Sequence, residues 1–323
     1  MFFVLLPDLT ILDVIGRDAA KIVNNLCTAN VMTLGPMMGR EAFVTDVRGK
    51  TVGHVCIFQT PSGLRMIGAG TNANDDRPKQ SAAISAHLDR YTLREDATPA
   101  DISGSLAAVL VDGNLLAKLD SFAAVLVTDP VTCELQSTDF GIKLEDSESI
   151  RGCAYRVPWW GDQSVLMLVD KNEMGGLLAH LRDKGGIEED AHEFHRRRIG
   201  AKFPWFGIDI DPSNLPQEAD RDSAAISFQK GCYLGQETVA RLDALGQVQK
   251  RLVLWDLTCQ STPRVNTELK SDDRTVGRLT SVTGGNGANQ YIALGFARRS
   301  HLDPGSIAHG SNEDGQEIEA VVL

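Results

Sequence analysis

The chain has 323 residues, 42% hydrophobic and 23% charged, with a formal net charge of −11. That profile is of an ordinary globular protein of two or three domain-sized units, long enough to bury a core without staples. An acidic chain is poorly suited to gripping a phosphate backbone, and no uninterrupted apolar run approaches the ~20 residues that span a bilayer, so neither direct nucleic-acid nor membrane contact is expected.

The apolar start, Met1 to Leu6, is short, lacks a basic leader and meets Pro7 and Asp8 at once, so it does not read as a secretory signal. Residues 15–26 predict a helix with Asp18 at its N-cap and Ile22, Val23 and Leu26 as its apolar stripe. Segments 42–46 and 51–58 predict a hairpin turning at Arg48-Gly49-Lys50, and 64–67 a third strand. Residues 78–90 predict a helix, in which His87 is a half-buried helix residue, and 91–96 a strand. The continuous apolar run 106–111 predicts a strand buried on both faces, followed by a helix over 114–122.

Segments 151–157 and 165–169 predict strands joined through Trp159 and Trp160, which read as packing residues. A helix over 171–184 stops at Gly185-Gly186, and another covers 189–199. The triplet Arg196-Arg197-Arg198 reads as the solvated end of that helix. Strand–helix–strand units with hairpins imply an α+β class, with ferredoxin-like packing of helices on antiparallel sheet. Beyond Arg251 helical periodicity nearly vanishes and short strands recur, which predicts a small barrel or sandwich. The expected division is 1–246 and 247–323, with the junction between Gly246 and Arg251.

Six cysteines occur, Cys27, Cys56, Cys133, Cys153, Cys232 and Cys259, and no two are spaced Cys-x-x-Cys. Neither a disulfide framework nor a metal site held by this chain alone is expected. Reduced thiols fit a cytoplasmic setting.

The stretch with the most chemistry runs from Ser227 to Glu237 and includes Lys230-Gly231-Cys232-Tyr233-Leu234-Gly235-Gln236-Glu237. Gly231 and Gly235 predict a tight loop. The helix start at Gln236 and the charge of Lys230 both favour thiolate at Cys232, and the thiolate is the reactive form. The alternative is a buried structural cysteine. Cys232 and Lys230 are therefore the candidate catalytic pair.

This stretch resembles the Lys-Gly-Cys-Tyr-x-Gly-Gln-Glu signature of the YgfZ-like folate-binding proteins, a family related to the T-protein, or aminomethyltransferase, of the glycine cleavage system. The segments from Pro204 to Ile210 and from Leu215 to Ala219 are similar to further family motifs. The resemblance implies a T-protein cloverleaf: two interleaved α+β units and a C-terminal β-barrel around a central tetrahydrofolate site. It implies iron–sulfur client or assembly proteins as partners, including transfer-RNA-modifying radical enzymes, with folate as the small molecule. On this reading Gly231, Tyr233, Gly235, Gln236, Glu237, Arg241 and Arg251 are cofactor-binding candidates, with Lys250 and the arginines suited to the glutamate tail of folate.

Two departures bear on chemistry. Where the T-protein carries paired aspartates, this chain has Gly53 and His54, and where its pterin-binding acid stands, this chain has Gly200. The resemblance thus favours support of iron–sulfur assembly through Cys232 over folate-dependent aminomethyl or one-carbon transfer, which lacks its acids. A non-catalytic folate-responsive scaffold is the third reading.

Overall fold

The structure, a computed structural model, describes all residues except 71–77, 120–133, 144–148, 162–163, 247, 286 and 313–314. The chain opens with β1 (Phe2–Leu5), β2 (Leu9–Ile15) and α1 (Ala19–Leu26). Then come β3 (Met38–Thr45), β4 (Thr51–Thr60), β5 (Gly63–Ala69), α2 (Gln80–Tyr91) and β6 (Thr98–Asp101). The next stretch holds β7 (Leu106–Asp112), the single turn α3 (Gly113–Leu116), β8 (Leu135–Lys143), β9 (Ser149–Arg156) and β10 (Ser164–Asp170). It continues through α4 (Met174–Asp183), β11 (Ile187–Glu189), α5 (Ala191–Gly200), the turn α6 (Asp222–Ala225) and α7 (Gln236–Leu245). The strands β12 (Lys250–Thr258), β13 (Glu268–Ser271), β14 (Arg274–Gly284), β15 (Gln290–Arg298), β16 (Ile307–Ser311) and β17 (Glu317–Val322) complete it.

The class is α+β. Strands β1 to β11 form one sheet in the order β11-β1-β7-β10-β9-β8-β3-β4-β5-β2-β6. Its two halves interleave in sequence, because β1 belongs with β7 to β11 while β2 to β6 make the other half. Only two residue pairs, Met38 with Gln136 and Gly39 with Leu135, zip β3 to β8 and make the halves continuous. The continuous apolar run of β7 is buried on both faces: Ala108 and Leu110 enter one core, Val109 and Val111 another.

Local chemistry explains the turns. Between β3 and β4 the Asp46 carboxylate accepts from the N–H groups of Arg48 and Lys50, both at 2.8 Å, and Gly49 takes φ +76°. Gly185 (φ +84°) ends α4, its N–H bonded to the Arg182 carbonyl while the Gly186 N–H reaches the Leu181 carbonyl.

Strands β12 to β17 close a barrel in the order β12-β15-β14-β13-β16-β17. The fully buried Trp255 fills it, and a Cβ at Gly277 or Gly295 would stand 3.0 Å from its ring.

Two expectations need correcting, and a third holds in position but not in bonding. Of the strand expected over 91–96, Tyr91 ends α2 and residues 93–96 form bends; the strand begins only at Thr98, because Leu93 is 85% exposed and has no core to face. The helix expected over 114–122 is one turn at Gly113–Leu116, and 120–122 lie outside the described residues. Asp18 does stand at the N-cap of α1, but its carboxylate accepts from the Asp96 N–H and makes no bond to its own helix.

Candidate functional site

The 227–237 stretch is seated between α1 and the β3–β4 hairpin. The Ser227 N–H donates to the Thr28 carbonyl and the Leu234 N–H to that of Asn25. From the other side the Thr45 hydroxyl donates to the Leu234 carbonyl at 2.7 Å. Gly235 (φ +79°) stands at the N-cap of α7, where a Cβ would lie 2.3 Å from the Asp46 carbonyl and 2.6 Å from Gly49. Only glycine suits that position. Gly231 differs: it lacks a left-handed φ, and an added Cβ would meet open space. One glycine of the pair, not both, shapes the loop.

Lys230 corrects a second expectation. Its ammonium donates to the carbonyl oxygens of Asn24, Cys27 and Ala29 at 2.7, 2.8 and 2.6 Å, using all three donors on the C-terminal end of α1. Burial pushes its pKa down, and the nearby Cys27 acts the other way. The thiol it couples to is therefore Cys27, which burial holds above its ordinary pKa despite the lysine. Tyr233 is buried beside it, with the Lys230 ammonium 5.1 Å from the ring centroid. Lys230 pins the loop, and Cys232 is left exposed at its crest.

The remaining candidates are scattered. Gln236 and Glu237 open α7, and Arg241 is exposed one turn later. Lys250 and Arg251 begin the barrel, 3.5 Å from Glu218 and from Asp220 respectively. Among the other described cysteines, Cys27, Cys56 and Cys259 are buried and Cys153 is half-buried; Cys133 lies outside the described residues.

Sequence reasoning missed two buried polar centres. In one, the His54 Nε2 lies 2.8 Å from the Glu41 carboxylate, which also takes two bonds from Arg221, at 2.8 and 2.5 Å. Burial alone would raise the Glu41 carboxyl, but Arg221 and His54 bring it down to about 2. The imidazole is stacked between Phe43 and Phe203, with centroids at 4.5 and 5.3 Å. The only available signal was an acid inside an apolar strand, Glu41 beside Ala42 and Phe43.

In the other, Asp209 accepts from Arg198 (2.6 Å), the Trp205 N–H (2.8 Å), Thr280 (2.6 Å) and Ser281 (2.7 Å). Arg198 is 1% exposed, so the arginine triplet is not wholly a solvated end: Arg196 and Arg197 reach outward to Glu193, and Arg198 turns inward. The Arg198 Nε donates to the His195 Nδ1 at 2.7 Å. Burial and Arg198 push the pKa of His195 down to about 4, so its ring is neutral at pH 7 and carries its proton on Nε2.

Cavities lie against these centres. A void of about 10 Å³, room for one water, touches His54, Trp159, Phe203 and Trp205. Trp159 packs edge-on against Trp205 at 5.1 Å, and Trp160 is half-buried beneath Arg197, so both serve packing. Beside the void, a cavity of about 160 Å³ has apolar walls including Leu6, Leu9, Phe194 and Phe206, with Asp8 and His195 as its polar members. None of Arg241, Lys250, Arg251 or the 230–237 residues borders either one.

The replaced acids follow the same geometry. Gly53 faces Ile84 and Gln80, where a Cβ would clash at 2.7 Å, and Gly200 is exposed with nothing near it. Neither position holds a carboxylate, and the neighbouring His54 is committed to Glu41.

No family model matches the chain. It is 34% identical over 98 residues to a chloroplast protein of Arabidopsis thaliana named as a transferase, covering 30% of this chain and 21% of that protein. It is 26% identical to an iron–sulfur cluster assembly factor IBA57 homolog of Phaeosphaeria nodorum, over 77% of this chain and 53% of the relative. To the tRNA-modifying protein YgfZ of Yersinia enterocolitica it is 23% identical, over 77% of this chain and 69% of that one. The chain thus spans a fifth to about two thirds of the length of these relatives. Its fold matches the glycine cleavage aminomethyltransferase T of Bartonella henselae with a TM-score of 0.78 at 15% identity, covering 99% of this chain and 84% of the other.

Proposed function

We propose, for a chain that is YgfZ-like in sequence and T-protein-related in fold, a role in assembling or repairing iron–sulfur clusters in other enzymes, including those that modify tRNA, with Cys232 as the working thiol. The observation that carries this is the contrast among thiols. Cys232 is exposed on a loop pinned at several backbone and side-chain points, while Cys27, Cys56 and Cys259 are buried. A thiol must lose its proton to bind iron. Here the Cys232 thiolate enters one iron's coordination sphere, the departing cysteinate of the client takes up the released proton, and no electron changes hands. A lone cysteine cannot hold a cluster, so the contact is transient.

Tetrahydrofolate suits the 160 Å³ cavity as far as its bicyclic ring is concerned. Flat apolar walls include Phe206 and Trp205, and the His195 Nε2–H is a donor. When bound, the folate supplies a reduced pterin and a one-carbon carrier. This chain's residues would hold the ring and exclude water from it. The residues that the sequence suggests for the glutamate tail, Arg241, Lys250 and Arg251, stand outside the lining of this cavity, and the last two lie 3.5 Å from Glu218 and Asp220. Aminomethyl transfer is disfavoured, since no carboxylate stands at Gly53 or Gly200.

The test is complementation. In cells lacking this protein, the wild-type chain should restore methylthio modification of tRNA, and Cys232→Ala should restore little. Full restoration by Cys232→Ala would leave a scaffold, not a thiol mechanism. Calorimetric titration with tetrahydrofolate should give saturable heat in both proteins, reduced by His195→Phe.

A further inference from the structure

We propose that the surface framing Cys232 is a docking face for one kind of partner: a protein loop carrying an anionic, thiolate-ligated iron–sulfur cluster. This rests on the function proposed above and specifies where the client sits. Three large apolar side chains near the loop face solvent: Met32 is 57% exposed, Val47 63% and Phe228 43%. Each belongs to the loop or to a segment that grips it. Met32 is three residues past Ala29, whose carbonyl binds Lys230. Val47 is in the turn whose Gly49 packs on Gly235. Phe228 follows Ser227, which bonds Thr28. Exposed apolar side chains on this loop and on the segments that hold it, together with an exposed thiol, match the composition of a protein contact.

A groove of about 480 Å³ continues this face, bordered by Asn30, Arg40, Phe228 and Gln229. Gln229 is three residues from Cys232, so the chain keeps the cysteine within about 11 Å of the groove wall. Charge selects among partners. The hairpin turn and the first two turns of α7 carry Arg48, Lys50 and Arg241 against Asp46 and Glu237, a positive balance in a chain of net charge −11. Within that set, the Asp46 carboxylate is already engaged by two N–H groups of its own turn. A thiolate-bound cluster is net negative and is displayed on an exposed loop, so it complements this rim.

The probe is a short synthetic peptide holding a [4Fe–4S] cluster on three cysteines, flanked by a phenylalanine. Its binding to the full chain is followed by fluorescence anisotropy. Phe228→Ser and Arg48→Glu, both at exposed positions, should each weaken binding about fivefold or more, with circular dichroism unchanged. Cys232→Ser should weaken it further. Wild-type affinity in Phe228→Ser and Arg48→Glu overturns the docking face, as does failure of the wild type to bind, or displacement of the peptide by a tRNA stem-loop. If the face fails while tRNA methylthiolation still needs Cys232, the iron–sulfur reading stands. If methylthiolation is indifferent to Cys232, that reading falls instead.

Discussion

At Lys230 a single ammonium serves the end of a helix. Three carbonyl oxygens converge on it within 2.8 Å, and hydrogen bonds to a charged group contribute about 1.5–3 kcal/mol each at most. Truncating the lysine leaves those carbonyls unsatisfied, so Lys230→Met should cost about 2–4 kcal/mol in chemical denaturation. It should also speed alkylation of Cys232 by loosening the loop. Unchanged stability together with slowed alkylation would restore the thiolate-conditioning role to Lys230. Asp222 gives a pH-dependent companion. Burial raises its carboxyl to about 6, with Arg251 opposing and Asp220 and Asp243 assisting. A carboxyl raised on folding is the more protonated in the native state, so stability falls as pH rises from about 4 to about 6. Asp222→Asn should flatten that limb and, after discount for partial exposure, add about 1 kcal/mol at pH 7. The same slope in mutant and wild type would refute the assignment.

Among the elements, the hairpin of β3 and β4 and the loop before α7 form one unit, since Gly49 and Gly235 stack backbone on backbone. The two glycines of the signature, alike in sequence, differ in what they permit. Gly235→Ala combines a positive φ with a 2.3 Å approach to the Asp46 carbonyl and should cost about 2 kcal/mol or more. Gly231→Ala meets open space and should stay within about 0.5 kcal/mol of wild type. Thermal melts of the pair decide it, and equal losses would sink the distinction. The signature was readable as a motif because its residues are contiguous. Which glycine is strained was not, because that depends on a hairpin lying some 190 positions earlier in the chain.

For the whole molecule, the Asp209 centre joins sheet to barrel. It ties Arg198 of α5 and the Trp205 backbone to Thr280 and Ser281 of β14. Removing one partner of a buried pair leaves an uncompensated charge, so Asp209→Ala should cost about 3–5 kcal/mol. It should also let the barrel melt separately, seen as two calorimetric transitions. A single transition at the wild-type temperature would contradict that coupling. The sequence alone determined the α+β class, the all-β character of the C-terminal region, most strands and helices, and the signature stretch, because each is written in local periodicity or contiguous residues; that the last strands close into a barrel was left to the tertiary structure. Tertiary structure alone decided that Lys230 serves α1, that Arg198 turns inward, and that Glu41, His54 and Arg221 meet. Each of these depends on side chains far apart in the chain being desolvated together, and burial, not spacing, sets which charge finds which partner.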